Sequence, residues 1–109
     1  MQVIATKITQ NPAIVKFELD EIIVRTENFE FKNIDETQNS PLAKQLFFLP
    51  FVKTVYVSGN FIAIEKFSIV EWEDVQEDVA NQINEFISNG GEIIKIDETK
   101  TKKQPITVY

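Results

Sequence analysis

Apolar and polar positions alternate early in the chain. Across Ala13 to Leu19, Val15, Phe17 and Leu19 alternate with Lys16 and Glu18, the period of a strand buried on one face. Upstream, residues 2–9 begin with Val3 and Ile4 and read as a short strand that Gln10-Asn11-Pro12 turns back. After Asp20-Glu21, the β-branched run Ile22-Ile23-Val24 predicts a further strand or strand edge. Phe29 and Phe31 straddle Glu30, again with period two, and the polar residues 32–39 predict a loop.

At Ser40-Pro41 the period changes. Ser is a favoured N-cap and Pro is tolerated at the first helical position, where its missing N–H would have been unpaired anyway. Leu42, Leu46 and Leu49 form one apolar stripe, with Ala43 and Phe47 beside it, and Pro50 is expected to stop the helix. Lys53 to Val57 and Phe61 to Glu65 are apolar runs joined by Ser58-Gly59-Asn60, which predicts a hairpin with a central glycine. A last helix is expected over 71–88. Trp72, Val75, Val79, Ile83 and Phe86 recur at helical steps, and Asn89-Gly90-Gly91 closes it. Glu92 to Asp97 reads as one more short strand. Two one-sided helices need a sheet face to cover. The expected class is therefore α+β, a two-layer sandwich with a mixed or antiparallel sheet of about four to five strands and two main helices on one face. Residues 1–97 form the expected domain. Residues 98–109 read as a basic linker whose β-prone end, Ile106 to Tyr109, is either a plain tail or the start of a following domain or repeat.

Composition removes whole classes of chemistry. The chain has 109 residues, of which 43% are hydrophobic, and nine Phe among them suffice for a single core. It contains no Cys and no His. Thiolate metal sites, Cys nucleophiles, imidazole ligands and Ser-His-Asp catalysis are excluded within it. A net charge of −6 repels phosphate backbones, so no nucleic-acid partner is expected. No segment has the ~20 apolar residues of a membrane span, and no signal peptide is visible. The expectation is a cytoplasmic protein without a membrane partner.

The densest chemistry is acidic. Glu71, Glu73, Asp74, Glu77 and Asp78 crowd the first turns of the last helix, where carboxylates suit the helix dipole. The plain reading is a solvated face. A sharper one is a docking face, with Glu73, Glu77 and Asp78 meeting a basic partner. A hard-cation site from the Glu73/Glu77 and Asp74/Asp78 pairs is a third reading, without the turn ligands such sites gather. Trp72, heading the apolar stripe, reads as core rather than as a ligand platform. Phe47, Phe48, Phe51 and Phe61 read as packing between the first helix and the hairpin. Asn11-Pro12 reads as a turn or as part of a partner surface. No adjacent glycines precede a helix to cradle phosphate, so an enzyme is not expected; carboxylate catalysis would lack nucleophile, His and cofactor loop.

Four runs together resemble a known family. Ile8-Thr9-Gln10-Asn11-Pro12-Ala13-Ile14-Val15-Lys16-Phe17 is similar to the T-P-N-P-x-x-x-K-F opening of the NifU-like (Nfu) N-terminal domain, with Gln10 where that family usually has its first proline. Ser40 to Phe47 matches its S-P-L-A-x-x-L-F helix. Phe51 to Val57 resembles its G-V-x-x-V strand, with Phe51 replacing the glycine, and Phe61 to Lys66 its F-[IV]-[ST]-[IV]-x-K strand. Glu71-Trp72 fits the start of its last helix. The resemblance covers roughly residues 2–90, and it implies a non-catalytic interaction module of an iron–sulfur cluster assembly or carrier protein. In that family the cluster sits on a separate C-x-x-C domain. No cofactor is then expected on this chain, and its partners would be assembly proteins or apo-clients. A protein-binding domain of the same fold outside iron–sulfur biogenesis is the alternative. Clients and oligomeric state are not legible. The missing thiolates and imidazoles give a direct expectation: after incubation with iron and sulfide, the purified chain stays colourless. Stable visible charge-transfer absorbance at stoichiometric iron would overturn it.

Overall fold

The computed structural model describes residues 1–95. Five strands, β1 (Val3–Ile8), β2 (Ile14–Leu19), β3 (Asn28–Phe31), β4 (Val52–Ser58) and β5 (Phe61–Lys66), form one sheet in the order β1-β2-β5-β4-β3. Every neighbouring pair is antiparallel. Helices α1 (Pro41–Phe47) and α2 (Trp72–Ser88) cover one face. This is the α+β two-layer sandwich that the patterning predicts, with the sheet antiparallel throughout.

The alternation sets which face is buried. Val15, Phe17 and Leu19 of β2, Val55 and Val57 of β4, and Ile62 and Ile64 of β5 are all at most 1% exposed. They meet Leu42 and Leu46 of α1 and Val79 and Ile83 of α2, which are equally buried. Phe86, expected in the same stripe, is only half-buried because it sits at the last turn of α2. A Schellman cap ends that helix. Gly91 N–H donates to Phe86 O at 2.9 Å, Gly90 N–H donates to Ile87 O at 3.0 Å, and Gly90 takes φ +87°. Gly90 is the left-handed capping residue, and a Cβ on Gly91 after it would run into the Phe86 ring, which would have to shift to admit one.

Several expectations need correction. Ile22-Ile23-Val24 is neither strand nor strand edge. β2 and β3 lie three places apart in the sheet, so the chain between them crosses the strand ends instead of running alongside. Ile23 and Val24 N–H both donate to Gly59 O, at 2.8 and 3.2 Å, and Val24 is buried. The hairpin loop is shorter than expected. Ser58 pairs with Phe61, leaving Gly59-Asn60 as a two-residue turn with positive φ (+54°) only at Gly59. That is the glycine position of a type II′ turn, whose twist matches the flanking strands. α1 ends at Phe47 rather than running to Pro50, because the chain turns inward there to bury Phe51. The loop over 32–39 contains one 3₁₀ turn, Ile34–Glu36. Of the strand expected over 92–97, residues 92–95 are irregular, and the rest lies outside the described residues together with the 98–109 linker. On edge strand β1 a bulge between Val3 and Ala5 leaves Ile4 59% exposed.

Ser40 does more than cap α1. Its hydroxyl accepts from Ala43 N–H at 3.0 Å and donates to Ile93 O at 2.6 Å, and the residue is 0% exposed. It thereby fastens the segment after α2 to the start of α1, and Lys95 N–H adds a bond to Asn39 O at 2.7 Å. Ser40→Ala removes the cap and also leaves a buried carbonyl unpaired. The expected cost is about 2–4 kcal/mol, above the ~1 kcal/mol of a cap alone. A denaturant titration of wild type against variant measures it.

Candidate partner-binding surface

The Asn11-Pro12 turn is internally locked. Asn11 Oδ1 accepts from Ala13 N–H at 2.9 Å, and Ile14 N–H donates to Asn11 O at 2.9 Å. The Thr9 hydroxyl accepts from Asn11 N–H at 3.2 Å and lies within donating reach of Asn11 O and Ile14 O. The asparagine is thus consumed in building the turn, while both Asn11 and Pro12 remain exposed.

Ala13 O joins this turn to α2. It accepts from Lys66 N–H at 3.0 Å and from Trp72 Nε1–H at 2.8 Å. Trp72 is 6% exposed, and its ring meets Phe17 and Phe51 edge-on, with centroids 5.8 and 6.3 Å away. It is core, and it carries its one polar atom to a partner. The first turn of α2 therefore sits beside the locked turn. Glu73, Glu77 and Asp78 are all exposed, as is Glu85 further along. Glu77 lies about 6 Å further along the axis than Glu73. No Lys or Arg occurs between Lys66 and Lys95. The structure thus gathers Asn11, Pro12 and the acidic start of α2 at one end of the molecule. The 32–39 loop is not part of this group, since it packs on the start of α1 at the other end of the helix pair.

The aromatic residues divide differently from expectation. Phe51 is buried against Trp72 and Phe47 is half-buried, but Phe48 is 61% exposed. Phe61 lies on the outer face of the sheet, beside Tyr56 at 6.2 Å, away from both helices. Ile8, Phe67 and Ile69 are 84%, 46% and 67% exposed; Ile8 ends β1 just before the Asn11-Pro12 turn, Phe67 and Ile69 lie on the connection from β5 into α2, and Phe48 closes α1 on the approach to β4. No periodicity marks these four, because each follows or ends an element; only their size against their exposure singles them out. Among the described residues, no group of three or more Asp or Glu is placed to hold a metal ion.

Comparisons with known proteins add kinship. The family described as "Scaffold protein Nfu/NifU N terminal" matches residues 4–90. The Drosophila willistoni protein "NFU1 iron-sulfur cluster scaffold homolog, mitochondrial" is 32% identical over 88 residues, 80% of this chain and 30% of that one. The human protein of the same name is 31% identical over 88 residues, 80% of this chain and 35% of that one. The Arabidopsis thaliana "NifU-like protein 5, mitochondrial" is 28% identical over 87 residues, 80% of this chain and 32% of that one. The chain spans about a third of the length of these relatives. A solution structure of a NifU-like protein from Saccharomyces cerevisiae shares the fold at TM-score 0.74 and 23% identity, covering 88% of this chain and 87% of that one. Staphylococcus aureus protein SAV1430 does so at 0.66 and 22%, covering 76% and 99%.

The expectation of a cytoplasmic protein is overturned, since these named relatives are mitochondrial proteins. Neither the cysteine count nor the composition distinguishes one reducing compartment from another. No helix of the described residues is long and apolar enough to cross a membrane.

The Trp72–Ala13 bond yields a site-specific test. Trp72→Phe keeps an aromatic ring in the core but withdraws the indole donor. Stability should fall by about 1–3 kcal/mol. Amide hydrogen exchange should quicken at Ala13 and Ile14 more than in β4, and a uniform change across the sheet would count against the anchoring role.

Proposed function

The chain belongs to the Nfu/NifU N-terminal scaffold family, and on that premise we propose that it is the non-catalytic interaction module of an iron–sulfur cluster assembly or carrier protein. The cluster is held by a separate C-x-x-C domain, since this chain supplies neither thiolate nor imidazole. The partners are assembly proteins or apo-clients, and the contacting end is the one carrying the Asn11-Pro12 turn and the first turns of α2.

One observation carries this assignment: exposed apolar side chains and an unbalanced acidic helix meet at a single, rigidly tied end. Ile8, which ends β1, and Phe67 and Ile69, on the connection that enters α2, expose apolar surface that an interface can desolvate. Glu73, Glu77 and Asp78, exposed on the first turns of α2, attract a basic partner, which sets approach rate and orientation more than affinity. Asn11 and Pro12 present fixed backbone at the rim.

The test is a triple reversal, Glu73→Lys with Glu77→Lys and Asp78→Lys, in the full-length scaffold. As exposed charges, each should change stability by no more than about 0.5 kcal/mol. Cluster transfer to an apo iron–sulfur protein should slow about tenfold at low salt, with the difference fading as salt rises. Transfer indifferent to both reversal and salt would overturn the acidic role.

A further inference from the structure

The helices cover one face of the sheet, and among the described residues the other face is open. Cross-strand register arranges that open face into rows. One row runs across all five strands as Lys7, Lys16, Ala63, Tyr56 and Glu30, each the partner of the next. Ala63 lies at its centre, on the middle strand, and forms the floor of a cleft of about 410 Å³ walled by Lys16, Tyr56, Phe61 and Glu65. Lys16 Nζ stands 4.6 Å from the centroid of the Phe61 ring. The row is antisymmetric: lysines at the β1 side, a glutamate at the β3 side, a small apolar residue between.

We infer that this face is a self-complementary docking surface for a second copy of the chain. Two sheets meeting face to face are related by a twofold axis lying in the interface. An axis across the strands would set Lys7 on Lys7 and Glu30 on Glu30. An axis along β5 sets Lys7 of each copy on Glu30 of the other, and Lys16 on the other copy's Tyr56 ring. Ala63 then faces Ala63, which lets the two sheets approach, and Phe61 faces Phe61. Glu65 also falls on the axis, where Lys53 of the same copy neutralises it at 3.7 Å. Charge alone selects this second arrangement.

The distribution of charge over the whole chain points the same way. On the outer face Lys7, Lys16 and Lys53 are matched by Glu18, Glu30 and Glu65, with Lys7–Glu18 bonded at 3.2 Å. The chain as a whole carries −6, and α2 holds much of it on the opposite layer. Face-to-face pairing therefore joins two like-charged molecules through a neutral surface and keeps both acidic helices outermost. The face measures about 20 by 20 Å, or about 800 Å² over both copies, which places it among weak and reversible interfaces.

Sedimentation equilibrium of the full chain, from micromolar to millimolar at low salt, reads the proposal. The apparent mass should rise toward twice the monomer. Lys7→Glu and Glu30→Lys should each weaken association about tenfold, since each places like charges opposite one another twice. Net charge alone predicts the reverse for Glu30→Lys, which makes the chain less negative. An equimolar mixture of the two variants should recover association to within about threefold of wild type, because every opposed pair is then attractive. Thermal melts of the separate variants confirm that both are folded. A wild type that stays monomeric, or a mixture no better than its components, overturns the proposal, and the open face then serves a different partner.

Discussion

The indole N–H of Trp72 and the carbonyl of Ala13 hold the architecture to its surface. Trp72 is the first residue of α2, Ala13 the last before β2, and the bond between them is 2.8 Å long. Phe17 and Phe51 close on the same ring, so β2, the exit from α1 and the entry to α2 share one anchor. Without it the locked turn would still close on itself but would no longer be held against the helix. The acidic first turns of α2 would then lose their fixed position beside Asn11 and Pro12.

The molecule thereby separates its surfaces by layer. α2 carries its exposed acids with no intervening base, the outer sheet face is electrically balanced, and one end exposes bulky apolar residues. Each surface follows from a local rule. Helical acids face water because the apolar stripe faces the sheet. The outer sheet residues are mostly polar or aromatic, around Ala63 and Ile14, because no layer of the described residues covers them. The apolar end arises where three connections leave their elements together. Nothing in such an arrangement requires a buried charge, and among the described residues no buried side-chain polar atom lacks a partner.

Much of this was readable from residue order. β2, β4, β5 and α2 follow from period alone, and Ser40 announced its cap. What escaped was whatever depended on strand order. Ile22-Ile23-Val24 has strand-forming residues, yet a crossing over three sheet positions denies it a neighbour to pair with. Phe47, Phe48, Phe51 and Phe61 lie close in sequence and read as one packing group. The end of α1 sends Phe48 to solvent, and the alternation of β5 sends Phe61 to the outer face. The acids of α2 were legible as a face, and Asn11-Pro12 as a turn. Their meeting at one end rests on a contact between residues 59 positions apart, which no local pattern encodes.

The double acceptance at Gly59 O bears on the order in which the chain assembles. The crossing segment has nothing to dock on until the β4–β5 turn exists, although it precedes that turn in sequence. A two-residue turn closes a local loop at little entropic cost, whereas seating the strap requires a loop of some thirty-five residues to close. Ribosomal synthesis therefore releases the N-terminal strands before their central neighbour is available. β1 and β2 wait as an isolated hairpin, marginal in water, and the later hairpin converts them into a sheet.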